Sequence, residues 1–107
     1  MMLRIVFIAH DGHTQEAQAQ PGDSVMQAGL DHGVTGILAD CGGSCACATC
    51  HCYVDEAWLQ SFAPAAAVEA ELVSFAFDPQ PNSRLACQLV LGAQHDGLVV
   101  RLPRRQI

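Results

Sequence analysis

The stretch that decides how this chain is built is Cys41-Gly-Gly-Ser-Cys-Ala-Cys-Ala-Thr-Cys-His-Cys52. Five of the six cysteines lie within it, and the sixth, Cys87, stands alone downstream. Two glycines near its start carry no Cβ, so the backbone there can bend tightly. Thiols crowded in one loop, with one distant partner, are more typical of a bound metal cluster than of a disulfide framework.

Disulfides and zinc explain this pattern poorly. Cysteines that are one or two residues apart bridge badly, and nothing in the sequence indicates export to an oxidising compartment. A zinc knuckle commonly needs two Cys-x2-Cys pairs that wrap a tetrahedron, and the second pair is missing because Cys87 is solitary. On the residues alone, both alternatives stay open.

Haem attachment is a third alternative, because Cys47-Ala-Thr-Cys50-His51 matches the Cys-x-x-Cys-His pattern of c-type haem proteins. In that case His51 would be an axial ligand of the iron. Haem attachment requires neither the glycines upstream nor Cys87, and an export signal is not apparent. A visible spectrum separates the alternatives, since haem gives a sharp Soret band and an iron-sulfur cluster gives broad bands.

An iron-sulfur cluster is the fourth alternative, and the cysteine spacing discriminates between its types. The plant-type pattern Cys-x4-Cys-x2-Cys fails in every frame of the loop. A Rieske centre fails as well, because it needs histidine ligands and no Cys-x-His is present. The spacing that remains is Cys41-x5-Cys47-x2-Cys50, with Cys87 far downstream.

The first third of the chain has the local signals of two strands and a helix. Residues 3 to 9 predict a strand, the pair Asp11-Gly12 a hairpin turn, and the residues up to about 19 a second, polar strand. Ser24 predicts the N-cap of a short helix that Gly33 ends. The apolar side of that helix is expected to consist of Val25, Met26, Ala28, Gly29 and Leu30.

The rest of the chain predicts a second helix and further strands, and therefore an α+β fold. The helix follows Pro64, and its core-facing stripe is expected at Val68, Leu72 and Phe75. A strand begins at Cys52, and late strands are predicted at about 85 to 91 and 98 to 102. No apolar run approaches the roughly 18 residues that a membrane span needs, and we expect a cytoplasmic protein.

The charge balance argues against nucleic acid as a partner. Eleven acids oppose five basic residues, which gives a net charge of −6, and the chain contains no lysine. Three of the five arginines come after residue 100, namely Arg101, Arg104 and Arg105. An acidic surface suits docking onto a basic patch of another protein, although it also serves solubility alone.

Four segments of the chain resemble the 2Fe-2S ferredoxins of the adrenodoxin and putidaredoxin type, and above all their bacterial members. These segments are Asp40–His51, Tyr53–Trp58, Pro81–Gln88 and Asp96–Val100. They occur in the family's order, and from the first hairpin to the C-terminus the resemblance covers nearly the whole chain. The resemblance implies one domain over residues 1–107 with a β-grasp ferredoxin fold, in which a mixed sheet is crossed by a helix and the cluster loop lies near the surface.

The resemblance also implies the cofactor and its ligands. One 2Fe-2S cluster would be bound by four thiolates, those of Cys41, Cys47, Cys50 and Cys87. Cys45 and Cys52 are left over, and we expect them to be small structural side chains. His51 is expected to be structural, hydrogen-bonded to nearby backbone, and Arg84 to anchor the segment before Cys87 by an internal ion pair. No catalytic residue is expected.

Partner docking in this family uses acids on the helix after the cluster loop and beside the cluster. Glu69 and Glu71 match two of the helix positions, and Asp40 directly precedes the first ligand. On a helical wheel Glu69 and Glu71 lie about 200° apart, so they cannot form one tight patch. A role as ordinary solvated acids stays open for all three.

The function that the resemblance implies is one-electron transfer by a protein that is not itself an enzyme. The electron would come from an NAD(P)H-dependent flavoprotein ferredoxin reductase and pass to a cytochrome P450 monooxygenase or another terminal acceptor. Two alternatives remain, an electron donor for iron-sulfur cluster assembly and a cluster-bearing redox sensor. We expect a monomer that binds neither nucleic acid nor membranes.

Overall fold

Two strands at the start of the chain form the predicted hairpin. The computed structural model describes residues 2–33 and 51–104. Strand β1 (Leu3–Ile8) pairs antiparallel with β2 (Thr14–Ala19), with Leu3 opposite Ala19. At the turn Gly12 has a φ of 91°, a left-handed conformation that glycine adopts without strain. The local sequence signal therefore predicted both the strands and the residue that reverses the chain.

Helix α1 (Val25–Asp31) begins where the sequence indicates, at Ser24. The Oγ atom of Ser24 accepts a hydrogen bond from the backbone N–H of Gln27 at 3.0 Å, which satisfies one donor that the first helical turn leaves unpaired. Gly33, with a φ of 66°, follows its end. The predicted apolar side is confirmed for Val25, Met26, Ala28 and Gly29. It is wrong for Leu30, whose side chain is 43% exposed.

Three further strands complete a mixed sheet with the order β2-β1-β5-β3-β4. They are β3 (His51–Val54), β4 (Ser83–Leu85) and β5 (Leu98–Arg101). The last strand, β5, runs parallel to β1 on one side and antiparallel to β3 on the other. Together with the helices this is the α+β arrangement with a mixed sheet that the sequence predicts.

The strand predicted at 85 to 91 is wrong beyond its first residue. Strand β4 ends at Leu85, and residues 86–88 form a 3₁₀ turn that leads the chain away from the sheet. The alternating apolar residues Leu89 and Leu91, which suggested a strand, are instead buried in the core cluster together with residues of α1. There the carbonyl of Leu89 accepts a hydrogen bond from the N–H of Val25 at 2.9 Å.

Two short helices lie between β3 and β4, α2 (Glu56–Leu59) and α3 (Ala67–Val73). Helix α3 is rotated from the predicted orientation. Val68 and Phe75 are 59% and 72% exposed, whereas Glu69 is buried. The core-facing stripe is therefore wrong at both ends, and Leu72 alone packs against the core as predicted. At Val68 the reason is an ion pair of Glu69, described below, whereas Phe75 lies beyond the end of α3 at Val73.

The core lies between one face of the sheet and the helices. Its fully or nearly fully buried apolar side chains come from every strand and from α1, among them Leu3, Ile5, Phe7, Val25, Cys52, Val54, Leu85, Leu89, Leu98 and Val100. Within residues 2–33 and 51–104, none of the helices is long and apolar enough to cross a membrane.

Candidate metal centre

Cys87 lies in the 3₁₀ turn that follows β4, at the rim of the core. Its side chain is half-buried and packs against the core cluster. The Nε2 atom of Gln88 lies 3.4 Å from the Sγ atom and donates a hydrogen bond to it. The other predicted ligands, Cys41, Cys47 and Cys50, lie outside the described residues, as do Asp40 and Cys45.

The pairing of β3 with β4 places His51, the residue that follows Cys50 in the chain, close to the segment that carries Cys87. His51, the first residue of β3, is the register partner of Leu85, the last residue of β4. Cys87 follows Leu85 by two residues. The strand pair therefore joins the start of β3 to the segment that carries Cys87.

The donor chemistry of Cys87 fits an iron-sulfur cluster. Cys87 is a free thiol, within reach of the surface. Soft thiolate sulfur is the ligand that iron-sulfur clusters take from proteins, and hydrogen bonds to that sulfur tune the cluster's reduction potential. The amide of Gln88 supplies a hydrogen bond of this kind. The described part of the site is thus suited to holding one corner of a cluster.

Cys52 has the opposite environment. Its side chain is fully buried and belongs to the same core cluster as Val54. Burial raises the pKa of the Cys52 thiol to about 12, because the charged thiolate is poorly solvated there. At neutral pH Cys52 is a neutral, apolar side chain. This agrees with the structural role expected of it from the sequence.

His51 links the two strands that flank the site. Its ring is buried, and Nε2 lies 2.7 Å from the Oγ atom of Ser83 on β4. Burial lowers the pKa of His51, an effect that the nearby Asp78 carboxylate partly opposes. The ring also contacts Tyr53 edge to face, with 4.9 Å between ring centroids. These contacts are structural, as expected, with a hydroxyl group as the partner of Nε2.

Arg84 forms the internal ion pair that the sequence predicted, and its partner is Glu69. The Nε atom donates to Oε2 of Glu69 at 2.7 Å, and a second guanidinium nitrogen donates to Oε1 at 3.1 Å. A further donor of Arg84 reaches the carbonyl of Ala63 at 2.9 Å. Oε2 of Glu69 also accepts from the backbone N–H of Leu85 at 3.0 Å. This network joins α3 to β4 two residues before Cys87.

The same network overturns the prediction that Glu69 is a docking acid. Its side chain is 3% exposed, and both carboxylate oxygens are bound to Arg84. A carboxylate so enclosed cannot meet a partner's basic side chain. Glu71 is exposed on the other side of α3, in line with the separation of the two acids on the helical wheel.

His95 has a structural role that the sequence did not indicate. Its Nδ1 atom accepts a hydrogen bond from the N–H of Gly92 at 2.9 Å, so the ring proton lies on Nε2, 3.0 Å from Oγ of Ser61. The ring stacks on Phe62, with 4.2 Å between centroids. These contacts join the segment after Cys87 to the end of α2. No local pattern reveals them, because Ser61 and His95 are 34 residues apart.

Comparison with known proteins gives a consistent picture. The 2Fe-2S iron-sulfur cluster binding domain matches residues 8–92. Putidaredoxin from Pseudomonas putida is 41% identical over 106 residues, which cover 98% of this chain and 99% of that protein. The crystal structure of a ferredoxin from Rhodopseudomonas palustris HaA2 has a TM-score of 0.94 at 47% identity, and the match covers 97% of this chain and 99% of that one.

A third similar structure is putidaredoxin in its covalent complex with putidaredoxin reductase. It has a TM-score of 0.89 at 40% identity, and the match covers 95% of this chain and 99% of that one. Sequence and fold agree over almost the full length in each comparison, and the fold is a β-grasp. The chain therefore belongs to the 2Fe-2S ferredoxins of the adrenodoxin and putidaredoxin type, which are electron-transfer proteins and not enzymes.

Proposed function

We propose that this ferredoxin carries single electrons from an NAD(P)H-dependent flavoprotein reductase to a cytochrome P450 monooxygenase in the bacterial cytoplasm. The observation that carries the proposal is the full-length similarity to putidaredoxin, which has been solved in a covalent complex with its own reductase. An identity near 40% supports the class of partner, and experiments must identify the individual reductase and P450.

Four thiolates would hold the cluster in this proposal, those of Cys41, Cys47, Cys50 and Cys87. Once bound, a 2Fe-2S cluster accepts and releases one electron at a time. Support for Cys87 comes from its half-exposed thiol and from the Gln88 amide that donates to its sulfur. Support for Cys50 comes from its peptide link to His51, at the end of β3 that pairs with the approach to Cys87.

The surrounding side chains keep the ligand segment in place. The bond of His51 to Ser83 locks β3 to β4, and the Arg84–Glu69 pair locks β4 to α3. The apolar Cys52 side chain excludes water from the core side of β3. A ligand segment held in this way does not have to rearrange when the cluster gains or loses an electron, which is what a carrier requires.

Docking is proposed to use Glu71 and Asp40, together with the general negative charge of the chain. Glu71 is exposed, and the chain carries a net charge of −6. A carrier must bind two partners in turn and leave each quickly, so an interface with few strong contacts and some electrostatic attraction suits it.

The proposal is tested by reconstitution. The holoprotein is mixed with NADPH or NADH, candidate bacterial ferredoxin reductases and candidate P450 enzymes, and substrate oxidation is measured with and without the ferredoxin. We expect oxidation to depend on the ferredoxin and on its visible cluster spectrum. In parallel, the gene is deleted and general iron-sulfur enzymes are assayed. If the deletion lowers the activity of those enzymes and leaves P450-dependent oxidation unchanged, the alternative function is favoured, which is electron supply to cluster assembly.

A further inference from the structure

A recess of about 280 Å³ lies at the end of the sheet where β1 and β5 finish. Its lining includes Arg101, Arg104, His10, Tyr53 and Asp78. In the register of the sheet, Arg101 is flanked by Ile8 of β1 and Tyr53 of β3. The backbone of the central strand therefore fixes where this arginine stands, and Arg104 follows three residues later.

The two arginines of this recess differ from the other arginines that the structure describes. Arg84 is bound to Glu69 at 2.7 Å, and Arg4 pairs with Glu16 at 3.3 Å. Arg101 and Arg104 have no carboxylate within 4.0 Å among residues 2–33 and 51–104. Eleven acids and five basic residues make up the charges of this chain, so two unmatched guanidinium groups in one recess are unexpected.

Asp78 also lines the recess, but its groups are engaged within their own loop. Its Oδ1 atom accepts a hydrogen bond from Nε2 of Gln80 at 2.9 Å, and its carbonyl accepts one from the Tyr53 hydroxyl at 2.6 Å. These bonds hold the loop against β3 and shape the wall of the recess. The two guanidinium groups outnumber this one carboxylate, and the exposed ring of His10 offers a further nitrogen.

We propose that this recess binds a small phosphate-bearing anion. Guanidinium groups are planar, always charged, and match phosphate oxygens with paired N–H donors. Pockets for whole drug-sized ligands are usually about 300 to 1,000 Å³, so this recess suits a phosphate or pyrophosphate group and not an entire dinucleotide. The site is separate from the electron-transfer role and does not depend on the identity of the redox partners.

The test is calorimetric titration of the holoprotein with sodium pyrophosphate at low ionic strength. We expect one binding site in the wild type, and a dissociation constant that rises about tenfold or more in Arg101→Gln and in Arg104→Gln, since each loses charge-assisted hydrogen bonds. Arg4→Gln is the matched control, because Arg4 is also exposed but already paired with Glu16. It is expected to bind as the wild type does.

Three results would overturn the site. They are no binding of pyrophosphate at millimolar concentration, equal weakening in Arg4→Gln, and unchanged binding in both recess variants. A control titration with sodium acetate at matched ionic strength tests whether the recess prefers phosphate to carboxylate. Equally tight binding of acetate would refute the assignment to phosphate. Each variant is first checked for its visible cluster absorbance. Arg104 lies outside the strands, so Arg104→Gln carries the test if Arg101→Gln does not fold.

Discussion

Arg84 and Glu69 meet through two hydrogen bonds of 2.7 and 3.1 Å in the interior, although 15 residues separate them in the chain. Their side chains are 9% and 3% exposed. A buried pair of this kind adds little net stability compared with apolar residues, but removal of one partner leaves a buried charge without compensation. The pair therefore fixes the orientation of α3 more than it strengthens the fold.

Glu69→Gln should destabilise the protein strongly, because Arg84 would keep its charge in a buried position. We expect a loss of about 3 kcal/mol or more in the free energy of unfolding, measured by urea denaturation of the holoprotein. The matched control is Glu71→Gln on the exposed side of the same helix, where a change within about 0.5 kcal/mol is expected. Equal stabilities for the two variants would contradict the buried pair.

Phe75→Ala should be nearly silent for stability, in contrast to Phe7→Ala. Phe75 is 72% exposed, so its removal should change the free energy of unfolding by no more than about 0.5 kcal/mol. Phe7 is fully buried, and its removal should cost about 3 to 5 kcal/mol. Thermal or urea unfolding measures both. A large loss in Phe75→Ala would mean that α3 has the orientation predicted from the sequence.

Cys87→Ser should lose or badly destabilise the cluster, and Cys52→Ser should keep it. The first change removes a proposed ligand, whereas the second places a hydroxyl in the core at a cost of about 1 to 3 kcal/mol. Visible absorbance after purification and during storage is the measurement, with Cys45→Ser as a further variant that should stay coloured. A bleached Cys45→Ser beside a normal Cys87→Ser would refute the ligand assignment.

His95 should make stability depend on pH below neutrality. Burial lowers its pKa from the ordinary value of 6.5, so the unfolded chain binds this proton at a higher pH than the folded protein does. The contribution of the neutral ring to the free energy of unfolding is fully present above pH 6.5. It is lost as the pH falls from 6.5 through the lowered pKa of the folded protein. Protonation of Nδ1 would also break its bond with the N–H of Gly92.

The measurement is urea denaturation of wild type and His95→Gln from pH 8 to pH 5. At pH 8 we expect the variant to be less stable by about 1 kcal/mol, the usual worth of a hydrogen bond. The difference should shrink as the pH falls. The control is replacement of the exposed His13 by Gln, which should leave the wild-type profile intact. A difference that stays constant with pH would exclude this role.

Salt should weaken partner binding if Glu71 takes part in docking. We expect the apparent affinity for the reductase to fall between 50 and 300 mM NaCl, because ions screen exposed charges. Glu71→Gln should lower the affinity at low salt and flatten the salt response. Glu56→Gln, an exposed acid on α2, is the control and should behave as the wild type. A flat salt response of the wild type would refute charge-driven docking.

Sequence reasoning succeeded where the signal is local. The turn at Gly12 and the cap at Ser24 each depend on residues within a few positions, and both are as predicted. The cysteine spacing led to the family because three of the four proposed ligands, Cys41, Cys47 and Cys50, lie within ten residues of the chain. The two late strands illustrate the limit, since alternation alone did not distinguish β5 from the turn after Leu85.

The errors concern contacts between residues that are distant in the chain. Val68 on helix α3 is exposed because Arg84 draws Glu69 inward, and apolar periodicity contains no information on such a pair. His95 was missed for the same reason, since its partner Ser61 is 34 residues away. Phe75 is exposed beyond the end of the helix at Val73. Burial of polar groups follows from their partners, which a single sequence does not identify.

The position of β5 has a consequence for the order of assembly during translation. Among residues 2–33 and 51–104, this strand is the last to be synthesised, yet it lies in the middle of the sheet, between β1 and β3. The N-terminal hairpin can form early, but β3 and β4 have no place beside β1 until residues 98–101 leave the ribosome. The cysteine loop is thus made well before its scaffold closes. The segment that contains most of the cysteines is therefore exposed to the cell before the central strand can close the sheet around its flanks.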